Sequence, residues 1–321
     1  MSAVAMTSPP ELDVIMFTKL NHLVGALSRL LKLDRHIDAI KINQGRILTQ
    51  MQRPDATKPL WQHEFKVFSQ WGEDGIIQFL VNHLNVANRT FIEFGVEDFA
   101  ESNCRFLLMK DYWSGFVIDG SEKNIARLRA SYFYWQNQLT SKASFITREN
   151  VAALLDESGF DKELGILSVD IDGVDYHVLE ALGQWRPAIL IVEYNEAFGA
   201  QRPVTVPYDP TFVRRKKHVS NQYWGANLPA FCHLADQRSY ALVGVNGVAS
   251  NAFFVRRDLL NEHVREVNLH SCSGQANFRD SRGANGELTF LSGRSRALAM
   301  ADMPVVDVAT GQTLTVGDLY A

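Results

Sequence analysis

Three cysteines in 321 residues, Cys104, Cys232 and Cys272, are too few and too scattered for a disulfide framework or a cysteine-based zinc site. No apolar run approaches the ~18–20 residues of a membrane-spanning helix. The amino-terminal segment also lacks the basic region and long apolar run of a secretory signal. These absences predict a cytoplasmic protein without a membrane span.

The sequence also lacks an excess of positive charge. It has 32 lysines and arginines against 36 acidic residues, which gives a net charge of −4. Because a protein that coats nucleic acid must neutralise phosphates with basic residues, a nucleic-acid partner is not expected. Hydrophobic residues make up 46% and charged residues 21% of the chain, which is enough apolar sequence for a sizeable core.

The first segment with a clear pattern is 11–52, where apolar residues recur at steps of three and four. This spacing is typical of an amphipathic helix. Such a helix can pack on its own domain or associate with a second copy of the chain. A membrane-surface helix is less favoured because Asp34 and Asp38 interrupt the basic residues. Pro54 and Pro59 indicate a linker after it.

From about residue 65, short apolar runs alternate with helical patterns, which predicts a mainly parallel sheet with helices on both faces. Strands are expected at 90–94, 115–118, 144–146, 164–169 and 188–192. The last two apolar runs, 241–245 and 252–255, are too close for a parallel crossover and predict an antiparallel hairpin.

This pattern divides the chain into three parts. The first, 1–60, is a helical arm with its linker, and the second, 61–257, is the α/β domain. The third, 258–321, is a polar, glycine-rich extension that is placed to cover a substrate site.

Ligands of open α/β sheets bind beyond the carboxyl ends of the strands, so the residues there are the candidates. Glu93 and Gly95 end the first strand, and a glycine there lets a ligand approach the backbone. The segment is not GxGxxG, and a plain strand-to-helix turn is the alternative. Asp119 ends the second strand, where a carboxylate can accept hydrogen bonds from ribose hydroxyls, while Ser121 can cap the next helix.

Carboxylates crowd the end of the fourth strand, where Asp170, Asp172 and Asp175 lie within six residues. They repel each other unless a cation or hydrogen-bond donors compensate them, and a hard cation such as Mg²⁺ prefers oxygen ligands. Glu193 and Asn195 end the neighbouring strand and would converge on the same point. The alternative is that Asp175 only caps a helix, that Asp172 is solvated and that Glu193 bonds the neighbouring loop.

Basic and imidazole side chains supply the remaining candidates. A run from Arg214 to Lys217, followed by His218, lies in the long loop after the fifth strand. Such runs are usually solvated, but at a site edge this one could hold a phosphate or carboxylate. His177 and His218 are candidate general bases, and His177 is favoured because it follows the acidic cluster.

Seven motifs occur in the order expected for the FkbM-related class I S-adenosylmethionine-dependent methyltransferases, and over about 65–257 the chain resembles that family. They are FSQWGEDGIIQFL, FIEFGVEDFAESN, FVIDGS, LSVDIDGVDYHVLEAL, LIVEYNEAFGAQRPVTVPYDP, YWGANL and NAFFVRRD. The resemblance implies a Rossmann-like sheet of seven strands, the last antiparallel. The cofactor-binding residues that it implies are Gln70, Glu93, Gly95, Asn103, Asp119, Gly120, Ser121, Asn150 and Asp170.

The chain departs from the family at the first turn, which lacks the glycine-rich form, and at His177, where relatives often have an aromatic residue. The resemblance nevertheless implies S-adenosylmethionine as the cofactor, with Glu93 and Gly95 at its methionine end, Asp119 at its ribose and Asp170 beside its methyl group.

We therefore expect an O-methyltransferase that acts on a sugar hydroxyl in glycan, glycolipid or glycosylated-metabolite biosynthesis. A divalent cation, Mg²⁺ or Mn²⁺, would lower the pKa of the acceptor hydroxyl. The expected metal ligands are Asp170, Asp172, Glu193 and Asn195. The expected catalytic residues are His177, Asp170 and His218. The alternatives are a natural-product O-methyltransferase and a non-catalytic binding module of the same fold. The helical arm offers a surface through which a homo-oligomer can form.

Overall fold

The computed structural model describes residues 33–55, 57–272 and 280–321. The chain forms two compact units, 1–44 and 45–321. Residues 33–51 are helical (α1), which confirms the predicted helix for that part. The rest of the predicted helix, 11–32, lies outside the described residues.

A seven-stranded sheet forms the centre of the second unit, in the order β3-β2-β1-β4-β5-β8-β7. Its strands are β1 (Thr90–Phe94), β2 (Ser114–Asp119), β3 (Leu139–Ala143), β4 (Ile166–Val169), β5 (Ile189–Glu193), β7 (Tyr240–Val245) and β8 (Asn251–Arg256). Neighbouring strands in the run β3-β2-β1-β4-β5 pair in parallel, whereas β8 is antiparallel to both β5 and β7. The predicted seven-stranded sheet with its last strand antiparallel is confirmed.

Helices connect these strands. They are α2 (Glu73–His83), α3 (Arg105–Asp111), α4 (Glu122–Ala130), α5 (Tyr132–Gln136), α6 (Val151–Asp156), α7 (Asp175–Ala181), α8 (Arg214–Lys217) and α9 (Leu228–Gln237). Two of them begin at side-chain caps, because Ser121 accepts from the backbone N–H of Asn124 and Asn227 accepts from that of Ala230. No helix within the described ranges has the length and apolarity that crossing a bilayer requires.

Two hydrophobic clusters pack on opposite faces of the sheet. Successive side chains of a strand point to opposite faces, so Phe91 joins one cluster and Ile92 the other. Ile166 and Leu167 divide between the clusters in the same way. Burial on both faces explains why these strands are continuous apolar runs in the sequence.

The third strand differs from its prediction, because it lies at Leu139–Ala143 and not at 144–146. It is an edge strand paired only with β2, and four of its five residues are partly or fully exposed. It therefore has no apolar run that a sequence pattern could detect.

A small second sheet joins the carboxyl-terminal segment to the loop after β5. Its order is β10-β9-β6, with β6 at Val204–Thr205, β9 at Pro304–Asp307 and β10 at Thr313–Thr315. The short helix α10 (Arg294–Leu298) precedes β9. This pairing places the segment from residue 280 onward in the same compact unit as the main sheet.

Candidate active site

A cavity of about 570 Å³ opens at the carboxyl ends of the central strands. Its wall includes residues 93–97 at the end of β1, 119–120 at the end of β2, 170–172 after β4, and Glu193 at the end of β5. The strand ends that the sequence singled out therefore meet at one place, as expected for an open α/β sheet.

Gly95 forms the contact between the ends of β1 and β4. Its φ is +70°, and a Cβ atom on it would lie 1.6 Å from the carbonyl oxygen of Asp170. Only glycine tolerates both the left-handed backbone and this close approach. Packing of the protein against itself thus requires the glycine, independently of any ligand.

Glu93 fixes the loop that follows β1. Its Oε1 accepts a hydrogen bond from the backbone N–H of Asn103 at 2.8 Å. Its Oε2 accepts from Oγ of Ser102 at 2.7 Å and from the backbone N–H of Cys104 at 3.1 Å. Burial raises the pKa of this carboxyl, while the three donors oppose the shift. Glu93 therefore shapes the cavity wall by holding Ser102 and Asn103 in it.

Asp119, the last residue of β2, presents a carboxylate in the cavity wall. The backbone N–H of Glu97 donates to its Oδ2 at 2.8 Å. The backbone N–H of Ser121 donates to Oδ1 at 2.8 Å, and the Asn124 amide adds a longer bond of 3.4 Å. Since two carboxylate oxygens can accept about four bonds, Asp119 keeps acceptor capacity for a ligand hydroxyl.

Most of the expected cofactor residues meet at this cavity. Those in its wall are Gln70, Glu93, Gly95, Asn103, Asp119, Gly120 and Asp170. Ser121 and Asn150 are not among the lining residues. The amide of Asn150 accepts from the backbone N–H of Thr147 and donates to the carbonyl of Phe145, so it fixes the loop after β3.

The sequence did not single out two exposed aromatic residues of the wall. Trp71 is 40% exposed and Phe145 is 49% exposed, and both line the cavity. Large exposed aromatic side chains at a cavity are suited to stacking on planar or ring-shaped ligands. Their exposure, which would have identified them, depends on the folded loops and not on the local sequence.

Asp170, Asp172 and Glu193 form an acidic trio, in which each residue offers a carboxylate oxygen within 4.8 Å of the other two. Burial, with the charges of Asp172 and Asp175, raises the pKa of Asp170 to about 8. Burial and the charge of Asp170 raise the pKa of Glu193 well above its ordinary value. Oε2 of Glu193 is buried without a hydrogen-bond partner among the described residues. The trio thus brings carboxylate oxygens together in a cluster that a hard cation could occupy.

The side chains of two other polar residues that were expected near the trio form hydrogen bonds with backbone groups of the surrounding loops. Asp175 is fully buried and accepts from the backbone N–H groups of Ile171 and Gly173, so it fixes the turn before α7 and does not cap the helix, whose N-cap residue is Val174. Asn195, expected as a metal ligand, is outside the cavity wall. Its amide donates to two backbone carbonyls at 2.9 Å each, and its Oδ1 accepts from the backbone N–H of Ala197.

The two histidines expected in catalysis also lie outside the cavity wall. Nε2 of His177 contacts the carbonyl of Val206 at 2.9 Å, and burial lowers the pKa of its imidazole. Nδ1 of His218 contacts Oγ of Ser220 at 2.7 Å, and burial lowers its pKa as well. Although His177 is close to the acidic cluster in sequence, α7 begins at Asp175 and places His177 against the loop after β6.

Arg214 is the only basic residue in the described part of the cavity wall. Its guanidinium donates to Asp172 and, at 2.8 Å, to Asp280. Lys217 is paired with Asp209. The basic run therefore supplies one cation to the cavity, and that cation is already paired with carboxylates.

No protein-family model and no curated protein matches the chain. Similar solved structures include the N-terminal domain of EvdMO1 with SAH bound, at 10% identity over 58% of this chain and 80% of that one, TM-score 0.38. Another is magnesium protoporphyrin IX methyltransferase (ChlM) from Synechocystis PCC 6803 with bound SAH, at 12% identity over 57% and 81%, TM-score 0.36. A third is an O-methyltransferase family protein from Burkholderia thailandensis, at 9% identity over 58% and 58%, TM-score 0.36. Similarity at this level carries no argument about activity.

Proposed function

We propose that this chain is an S-adenosylmethionine-dependent O-methyltransferase of the FkbM-related kind. The observation that carries the proposal is Asp119, an acidic side chain with spare acceptor capacity at the end of β2, in a cavity above the switch point of the sheet. The strand order reverses beside β1, and such points are where α/β sheets bind nucleotide ligands.

The cavity suits this cofactor in size and chemistry. Its volume of about 570 Å³ lies in the ~300–1,000 Å³ range of small-molecule sites. Asp119 would accept from the ribose hydroxyls, Phe145 would pack against the adenine beside Gly120, and Asn103 and Gln70 would face the methionine end. When bound, the cofactor supplies a methyl group on a positively charged sulfonium.

The acidic trio would hold a divalent cation, Mg²⁺ or Mn²⁺, near the acceptor. Oxygens within 4.8 Å of one another can converge, after a small contraction, on an ion whose Mg–O bonds are ~2.1 Å. A cation supplies Lewis acidity, which lowers the pKa of an acceptor hydroxyl. Asp170 is the only proposed catalytic residue in the wall, and its role is to orient the acceptor and to receive its proton directly or through water.

A sugar hydroxyl is the acceptor that we propose, in glycan, glycolipid or glycosylated-metabolite biosynthesis. Trp71 offers a face on which the apolar side of a sugar ring can stack, and carboxylates nearby can accept from its hydroxyls. The sugar class rests on this combination and on the FkbM-like motifs.

The test is a methyl-transfer assay with glycan and glycolipid fractions as acceptors. Formation of S-adenosylhomocysteine is measured as the readout. We expect EDTA to abolish transfer and Mg²⁺ or Mn²⁺ to restore it, while calorimetric binding of S-adenosylhomocysteine persists. Asp172→Asn and Glu193→Gln should lower turnover by about a hundredfold, the cost of losing a metal ligand or its support.

The matched control is Asp209→Asn, which removes a carboxylate paired with Lys217 outside the cavity wall. Its turnover should equal that of the wild type. Full activity in a chelated preparation would show that the trio acts without a metal ion.

A further inference from the structure

Arg214 is held between two carboxylates that come from distant parts of the chain. Nη1 donates to Oδ1 of Asp172 after β4, and Nη2 donates at 2.8 Å to Oδ2 of Asp280 in the carboxyl-terminal segment. Nε donates at 2.8 Å to the carbonyl of Asn221, and the guanidinium lies 4.8 Å from the ring centre of Trp224. Its side chain is 13% exposed. The guanidinium is therefore fixed from several sides.

Asp280 is itself held by a chain of buried groups. Nε2 of Gln222 donates to Oδ1 of Asp280 at 2.8 Å, and Oε1 of Gln222 accepts from Nε of Arg296 at 2.6 Å. Gln222 and Arg296 are both buried. Because the Gln222 amide meets a donor at one end and an acceptor at the other, its orientation is determined. Asp280 thus keeps its place independently of Asp172.

Asp172 has a looser position than Asp280. It adopts a left-handed backbone with φ of 55°, its side chain is 56% exposed, and Arg214 is its hydrogen-bond partner in the structure. Asp172 is also the trio member that Arg214 contacts directly. A divalent cation in the trio and the guanidinium would therefore compete for the same carboxylate.

We propose that Arg214 is the built-in counter-ion of the acidic trio, that a divalent cation displaces it from Asp172, and that Asp280 retains it when this happens. This inference rests on the cation site in the proposed function. Arg214 and Asp280 are then positioning residues, since they act on the reaction through the trio. The carboxyl-terminal segment sets the cation affinity of the site through Asp280.

Two substitutions should move the cation affinity in opposite directions. Arg214→Gln removes the competing positive charge, so Mn²⁺ should bind at least about fivefold more tightly. Asp280→Asn removes the second anchor, which leaves the guanidinium to the trio alone, so Mn²⁺ should bind at least about threefold more weakly. If the two residues only support the fold, both substitutions should weaken binding.

The experiment is titration of the full chain with Mn²⁺, monitored by the electron paramagnetic resonance signal of the free ion, with folding of each variant checked by circular dichroism. Arg214→Lys keeps a positive charge beside the trio, so it should bind Mn²⁺ less tightly than Arg214→Gln does. The matched control is Arg257→Gln, because Arg257 also lies between two carboxylates, Asp236 and Glu266, outside the cavity wall. Its Mn²⁺ affinity should be unchanged.

The outcomes separate this inference from the proposed function. If the wild type binds Mn²⁺ in a Glu193-dependent manner and Arg214→Gln binds it no more tightly, the counter-ion role is wrong and the cation site stands. If neither the wild type nor Arg214→Gln binds Mn²⁺, the cation site and the counter-ion role are both wrong. Tighter binding by Arg214→Gln with weaker binding by Asp280→Asn supports the proposal.

Discussion

His177 is a residue whose position links the stability of the protein to pH. Burial lowers the pKa of its imidazole, so the folded chain keeps it neutral where the unfolded chain takes up a proton near pH ~6.5. Stability from this group is present above that value and is lost as the pH falls through the folded-state pKa.

We therefore predict that the wild type loses more stability than His177→Gln between about pH 7.5 and about pH 5. Glutamine can still donate to the carbonyl of Val206 but does not titrate. The measurement is the free energy of unfolding in urea at both pH values. Parallel pH dependences would contradict the prediction. A large loss of turnover in folded His177→Gln would show that the imidazole takes part in catalysis.

Single residues also show how far the sequence determines the site. Asp119, Asp170 and Glu193 were predictable, because the end of a buried strand can be recognised and the sheet then brings strand ends together. Asn195 was not, because the two carbonyls that its amide contacts come from a loop almost thirty residues later. Asp280 carried no signal at all, since only the tertiary fold brings it to Arg214.

At the scale of secondary-structure elements, the junction of β1 and β4 depends on Gly95. We predict that Gly95→Ala lowers the free energy of unfolding by about 3 kcal/mol or more, because the new Cβ would overlap a backbone carbonyl that cannot move aside cheaply. The control is Gly159→Ala, where φ is +67° but nothing lies within 4 Å of the added Cβ.

Gly159→Ala should cost only about 1 kcal/mol, the price of the left-handed backbone alone. Chemical denaturation of both variants, compared with the wild type, measures the difference. Equal losses would mean that strain in the backbone, and not the contact between the two strand ends, explains the glycine.

The elements themselves were largely predictable where they are buried on both faces. Apolar runs mark β1, β2, β4, β5 and the two strands of the final hairpin. The short distance in sequence between the two hairpin strands predicted that they pair antiparallel. The polar edge strand β3 and the sheet formed by β6, β9 and β10 were not recognised. β6 pairs with β9 about a hundred residues later in the chain, and such a long-range pairing leaves no periodic pattern in the sequence.

At the scale of the whole molecule, self-association through α1 stays a prediction. Its apolar residues Ile40 and Ile47 are 67% and 59% exposed. We expect the double variant Ile40→Glu, Ile47→Glu to have the mass of a monomer in light scattering and the wild type a multiple of it. Leu298→Glu, which changes an exposed apolar residue of α10, should keep the wild-type mass. A monomeric wild type would contradict the prediction.

The central claim is that the cavity at the ends of β1, β2 and β4 binds S-adenosylmethionine, and calorimetric titration of the full chain with S-adenosylhomocysteine tests it most directly. We predict one binding site per chain, whose affinity falls at least about tenfold in Asp119→Ala, a loss of about 1.4 kcal/mol in binding free energy. Asp98→Ala, in the loop after β1 and outside the cavity wall, should bind as the wild type does. No binding to the folded wild type, or equal affinity in folded Asp119→Ala, would contradict the account.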